Sequence, residues 1–249
     1  MRGLLAAGLA VLAALSIPAS TVRAQDADRV AGFRLLDLDG ARVRWGAVGD
    51  RTPEVTYAFA KQTTSYPGAH NCRTLAPFDE LLAKSVIPSD MFRAEVRAAF
   101  DLWERVANID FREVDDPATA GIVLGAQGEP TGHAFADVTY KPGPGPVRQI
   151  ARSLVCLNPT KTWKIGFDGN LLVYDLRYTI AHEIGHAIGL DHPTPRGSLM
   201  SFSYSEGFRA PQEGDVAGAV KLYGLRQPGS GPHIETGSTN LVPRPTTTR

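Results

Sequence analysis

Half of the chain's six histidines fall within eleven residues, in the string His182, Glu183, Ile184, Gly185, His186, Ala187, Ile188, Gly189, Leu190, Asp191, His192. On a helix, His182 and His186 share a face one turn apart and can aim both imidazoles at one ion. Glu183 lies beside them and can reach a water on the ion's open side. Gly189 lets the chain turn sharply, so His192 can swing back to the same ion from outside the helix. Three neutral imidazoles leave one position for water, as expected of a catalytic zinc and not of a closed structural site. With Glu183 as the base, the chemistry is attack of an activated water on a carbonyl. The plainer alternative is a set of surface or core histidines on an amphipathic helix, and the crowding of three into so short a span argues against it.

Several elements must position these groups. Val55, Tyr57 and Phe59 alternate with smaller or polar residues, the period of a strand. Lys61 to Pro88 would be implausibly long as a bare loop, and Pro77 with Asp79, Glu80, Leu81, Leu82 and Lys84 reads as a short helix inside it. From Ser89, its expected N-cap, a longer helix carries Phe92, Val96, Ala99, Phe100, Trp103 and Val106 on one stripe, with Arg93, Glu95, Arg97, Asp101, Glu104 and Arg105 off it. Ile109 and Phe111 begin a second strand, and Gly121 to Ala126 suits a strand buried on both faces. Further strands are expected at Ala134 to Thr139 and Ser153 to Leu157, separated by a proline and glycine loop from Lys141 to Pro146. Leu171 to Leu190 is helical in pattern, and Gln212 to Tyr223 forms a last helix stopped by Gly224.

The 249 residues are 43% hydrophobic and 21% charged, which excludes a disordered, fibrous or multi-span membrane chain. Twenty-six basic side chains balance 26 acidic ones, so no basic stripe points to nucleic acid as a partner. Arg2, the apolar run from Leu4 to Ile17, and Val22, Arg23 and Ala24 have the pattern of a signal peptide cleaved after Ala24. The run falls short of the ~20 residues that span a bilayer, so no stable membrane anchor is expected, and an uncleaved anchor is the alternative. Residues 25–44 form a short lead, 45–226 the catalytic domain and 227–249 a flexible tail rich in Pro, Gly, Ser and Thr. An exported chain meets an oxidising compartment, extracellular or periplasmic, where Cys72 and Cys156 can bond. Closing so long a loop would stabilise the fold by roughly 4 to 5 kcal/mol; two buried thiols that never meet are the alternative.

HEIGHAIGLDH resembles the zinc motif of the metzincin metallopeptidases, and Ser198, Leu199, Met200 and Ser201 follow at the place of that clan's Met-turn. Within the clan the chain is most similar to the matrixins, the M10 peptidases, in their bacterial type, over about residues 45 to 225. The resemblance implies an α+β zincin-like fold. Its twisted, mostly parallel five-stranded sheet carries two long helices, with a small C-terminal subdomain after the zinc helix. It implies a zinc endopeptidase with one catalytic zinc on His182, His186 and His192, Glu183 as general base, and Met200 packed under the imidazoles. Peptide would lie along the strand at Ala134 and Phe135, and Phe202 and Tyr204 would help wall the pocket for the side chain after the cleaved bond. A protein or peptide substrate and a monomer are expected. Serralysins and astacins place a metal-reaching tyrosine where this chain has Phe202.

Departures from the family carry expectations of their own. Only His133 matches a ligand of the structural zinc in animal matrixins, so no such zinc is expected, and His133 is read as a residue bonded within the edge strand. A calcium site is left open with no supporting motif. The family's cysteine latency motif is missing. An acid of the lead, Asp26 or Asp37, is one way to cap the zinc, against a plain solvated acid. An exported binding or adhesion module that keeps the fold without turnover is the alternative function, and the intact Glu183 speaks against it.

Overall fold

The computed structural model describes residues 32–49, 52–129, 131–194 and 196–226. The expected signal segment, Asp26 and the expected tail lie outside them. Among the described residues, thirteen strands and four helices follow in chain order. The strands are β1 (Arg34–Leu35), β2 (Asp37–Leu38), β3 (Ala41–Arg44), β4 (Glu54–Phe59), β5 (Thr64–Ser65), β6 (Thr74–Leu75), β7 (Asp110–Glu113), β8 (Ile122–Ala126), β9 (Ala134–Tyr140), β10 (Val147–Leu157), β11 (Trp163–Lys164), β12 (Tyr174–Asp175) and β13 (Leu190–Asp191). The helices are α1 (Asp79–Ser85), α2 (Ser89–Glu104), α3 (Leu176–Ala187) and α4 (Glu213–Tyr223).

The architecture is α+β. Its centre is a five-stranded array in the order β9-β10-β8-β4-β7, parallel except for the antiparallel β9. Among the described residues the full sheet has seven strands where five were expected. β10 runs for eleven residues, and its first part pairs with β3, which in turn pairs with β2. The additional strands come from the segment read as a lead. That segment is built into the fold: Phe33, Leu35, Ala41 and Val43 are buried, and β1 pairs with β13 next to His192.

α2 buries the predicted stripe of Phe92, Val96, Ala99, Phe100 and Trp103. Two of its acids depart from the expectation. Glu95 and Glu104 are buried, because each has ion-pair partners: Arg177 and Arg209 for Glu95, Arg97 for Glu104. The residue at the N-cap position of α2 is Pro88, one before the expected Ser89, and it makes no side-chain cap. The β8 strand is buried along its whole length, as a central strand covered on both faces must be.

The helices cover one face of the sheet. Residues 60–78 cover the other through the β5–β6 hairpin, where Ala69, Cys72 and Leu75 pack on Ala58, Val123, Leu154 and Cys156. A Cβ on Gly125 would come within 2.7 Å of Leu75 Cβ, so this layer rests directly on backbone. Cys72 and Cys156, both buried, are joined by a disulfide that pins the layer to β10.

Candidate active site

α3 starts at Leu176, five residues later than the hydrophobic pattern suggests. Asp175 caps it by accepting the Tyr178 amide at 2.8 Å, and Leu171 and Leu172 before it are exposed. Its other end bears an unusual load. The helix must stop at once for His192 to return, leaving carbonyls without intrahelical partners. Trp45 Nε1 and Ser153 Oγ donate to the Ala187 oxygen at 2.9 and 3.0 Å, and Tyr223 Oη donates to the Ile188 oxygen at 2.6 Å. Mid-helix, Trp103 Nε1 donates to the Ala181 oxygen. These four positioning residues come from distant parts of the chain, and no local pattern announces them.

Gly189 takes φ +105°, and a Cβ there would overlap the carbonyl oxygen of Val43. The turn and the close approach of β3 both require glycine. Gly185 answers a different need, because a Cβ would run into the Met200 thioether and the Trp103 ring. Met200 therefore packs directly beneath α3, 2% exposed.

The three imidazoles converge. Nε2 of His182 lies 3.1 Å from Nε2 of His192 and 3.2 Å from Nε2 of His186, and the third separation is 3.2 Å. His182 Nδ1 faces the Leu199 oxygen at 2.7 Å and His186 Nδ1 the Leu190 oxygen at 2.9 Å. A carbonyl only accepts, so both Nδ1 atoms carry the proton and both Nε2 atoms present bare lone pairs to each other. Burial holds all three rings below their ordinary pKa, His186 at about 4, which keeps them neutral at pH 7. Lone pairs so close repel unless a cation lies among them. Zinc–nitrogen bonds of ~2.0–2.1 Å reach this spacing at angles near tetrahedral. The donor set therefore fits zinc.

The supports of the imidazoles are themselves supported. Asp215 on α4, 2% exposed, accepts the amides of Leu199 and Met200 at 2.7 and 3.0 Å and so holds the Met-turn that orients His182. Glu183 is 6% exposed, and its carboxylate has no hydrogen-bond partner among the described residues. Burial alone pushes its pKa up to about 8.

The triad and Glu183 line a cleft of about 690 Å³. β9 forms one wall and has β10 as its only strand partner among the described residues, so its outer edge is open. Ala134 and Phe135 line this cleft, as do Phe202 and Tyr204. Phe202 is 85% exposed and sets its ring edge-on to His192 at 5.2 Å, which makes it a rim residue. Tyr204 lies deeper. Its ring stacks on Tyr174 at 4.3 Å, Tyr174 stacks on His133 at 3.7 Å, and Tyr178 meets Tyr204 edge-on. His133 thus serves as an aromatic plate of the pocket wall; only its backbone oxygen bonds the Asn158 amide. Asp37 is not among the residues lining the cleft, and its carboxylate accepts the Gly40 amide in its own turn, so it does not cap the triad.

The loop that carries Tyr204 is fixed by charge. Asp175, fully buried, accepts two hydrogen bonds from Arg209 at 2.8 and 2.6 Å, and Arg209 also reaches Glu95. Glu95 is gripped a second time by the fork of Arg177. Arg209→Ala should cost ~3–5 kcal/mol in chemical denaturation, because it strands a buried carboxylate. Arg209→Lys should recover only part of this, since an ammonium cannot form the fork. A loss under about 1 kcal/mol for the alanine variant would show that solvent already satisfies Asp175.

The chain is also similar to known proteins. The family model described as matrixin matches residues 80–224, more than half of the chain. Matrix metalloproteinase-19 of Homo sapiens is 34% identical over 153 residues, covering 58% of this chain and 28% of that protein. The hatching enzyme of Paracentrotus lividus is 31% identical over 169 residues, covering 61% and 24%. Metalloendoproteinase 1-MMP of Arabidopsis thaliana is 28% identical over 149 residues, covering 55% and 39%. The chain spans between about a quarter and two fifths of the length of these relatives.

Proposed function

Because the chain belongs to the matrixin family, we propose that it is a zinc-dependent endopeptidase that hydrolyses peptide bonds in extended protein or peptide substrates. The observation that carries this reading is the meeting of three Nε2 atoms beside a buried Glu183 that has no hydrogen-bond partner among the described residues, in a cleft walled by an open strand edge.

His182, His186 and His192 would hold one zinc. The chemistry a bound zinc supplies is Lewis acidity, toward the peptide carbonyl and toward the attacking water. Glu183 takes a proton from that water as its oxygen bonds to the carbonyl carbon, and then delivers the proton to the amide nitrogen so that the C–N bond breaks and the amine departs. Its low exposure keeps bulk water from solvating the carboxylate and so maintains its basicity. The outer edge of β9 around Ala134 and Phe135 orients the substrate as an added strand. Tyr204, held in its stack, walls the pocket for the residue after the bond, and Phe202 borders its mouth. Met200 supports the imidazoles from below.

We also place the protein outside the cytoplasm, released by cleavage near Ala24. The Cys72–Cys156 disulfide suits an oxidising compartment, and no helix among the described residues is long and apolar enough to cross a membrane. The test is cleavage of a diverse peptide library by the chain from Gln25, followed by mass spectrometry. A chelator should abolish cutting, and about one equivalent of Zn²⁺ per chain should restore it. Peptide binding with no cutting at full zinc occupancy would instead favour a binding module.

A further inference from the structure

Residues 34–39 touch both rims of the cleft at the end opposite the Tyr204 stack. On one rim β1 pairs with β13, the Leu36 amide donates to the Gly189 oxygen at 2.8 Å, and Arg34 pairs with Asp191 at 2.9 Å, one residue before His192. On the other rim the hydroxyl of Tyr140, the last residue of β9, donates to the Asp39 carboxylate. The β1–β3 segment therefore spans that end of the cleft from one rim to the other.

Its polar groups are engaged elsewhere. Asp37 accepts the Gly40 amide, Asp39 meets Tyr140, and Arg34 holds Asp191. On the facing strand the Asp137 carboxylate accepts the amides of His70 and Asn71. What this segment turns into the cleft is Leu36 and Leu38, half-buried against the core and lining the same cavity as Ala136, Val138 and His192. The segment lies outside residues 80–224, the part matched by the family model.

We infer that Leu36 and Leu38 form an apolar subsite that selects the side chain of a residue preceding the scissile bond. The inference rests on the peptidase reading. If the pocket beside Tyr204 takes the residue after the bond, a peptide extended along β9 passes the triad and brings its preceding residues against these leucines. Side chains on one face of an extended peptide alternate, so a single position is read while its neighbours point away. Aliphatic and aromatic residues are favoured there, and charged residues are excluded because the wall leaves them no partner.

The test is the cleavage profile of the peptide library with the native chain, Leu38→Asp and Leu38→Trp. The native chain should enrich apolar residues at one position before the bond by about tenfold over charged ones. Leu38→Asp should remove that enrichment, and Leu38→Trp, which fills the site, should shift it toward alanine and glycine. Preference after the bond should stay the same in all three. If Leu38→Asp does not fold, the tryptophan variant alone decides. Profiles before the bond that are indistinguishable between native and folded variants would overturn the subsite while leaving the peptidase intact. Absence of any cutting by the zinc-loaded native chain would overturn both.

Discussion

Glu183→Ala is expected to keep one zinc per chain and to lower peptide hydrolysis by at least about 10²–10⁴ in kcat/KM. Among the described residues the carboxylate has no hydrogen-bond partner, and it takes no part in orienting the imidazoles, so its removal leaves the three rings and their carbonyl partners in place. What is lost is the group that moves the proton. Replacing a buried carboxyl that has no partner with a methyl group should also leave stability unchanged or slightly raised. Metal analysis, a thermal melt and the library assay together check this. A variant that cuts at the native rate would remove Glu183 from the mechanism, and one that loses zinc would make it a ligand.

Gly189→Ala should abolish zinc binding about as completely as His192→Ala, although it removes no ligand atom. An alanine at φ +105° is strained by ~1–3 kcal/mol, and its methyl would occupy the space of a backbone oxygen on β3, which cannot move aside as a side-chain tip could. The chain after α3 would have to leave β3, taking β13 and His192 with it. Equilibrium dialysis with Zn²⁺ measures the loss, and the melting temperature should fall alongside it. Native zinc affinity in this variant would mean that β3 is free to retreat and that the turn, not the contact, sets the third ligand.

The zinc motif could be read because its geometry is local: four residues of helix and one turn place three rings. The buried stripe of α2 and the buried run of β8 were legible for the same reason, since period and composition are properties of a short window. The supports were not. Trp45 and Tyr223 act on α3 from more than 30 residues away, and Asp215 acts on the Met-turn from the next helix. Residues 34–44 looked like a lead because strands of two to four residues show no period, and their partners in β10 and β13 lie over a hundred residues along the chain. Glu95 looked solvated because its ion partners, Arg177 and Arg209, are on other elements. At the start of α3, Leu171 and Leu172 imitated helical periodicity, while Asp175, three residues before the amide it caps, was the better signal.

Two of the chain's three tryptophans, Trp45 and Trp103, donate their indole N–H groups to carbonyls of α3, one at its end and one in its middle. Both rings are at most 9% exposed. The helix that carries two of the three proposed zinc ligands is thus wired to the chain's intrinsic fluorophores. The third, Trp163, donates to the Asn158 oxygen and meets His133 edge-on, beside the pocket wall. Emission wavelength should therefore register the integrity of the metal helix and of the pocket directly, with no label attached, and single Trp→Phe replacements would separate the two signals.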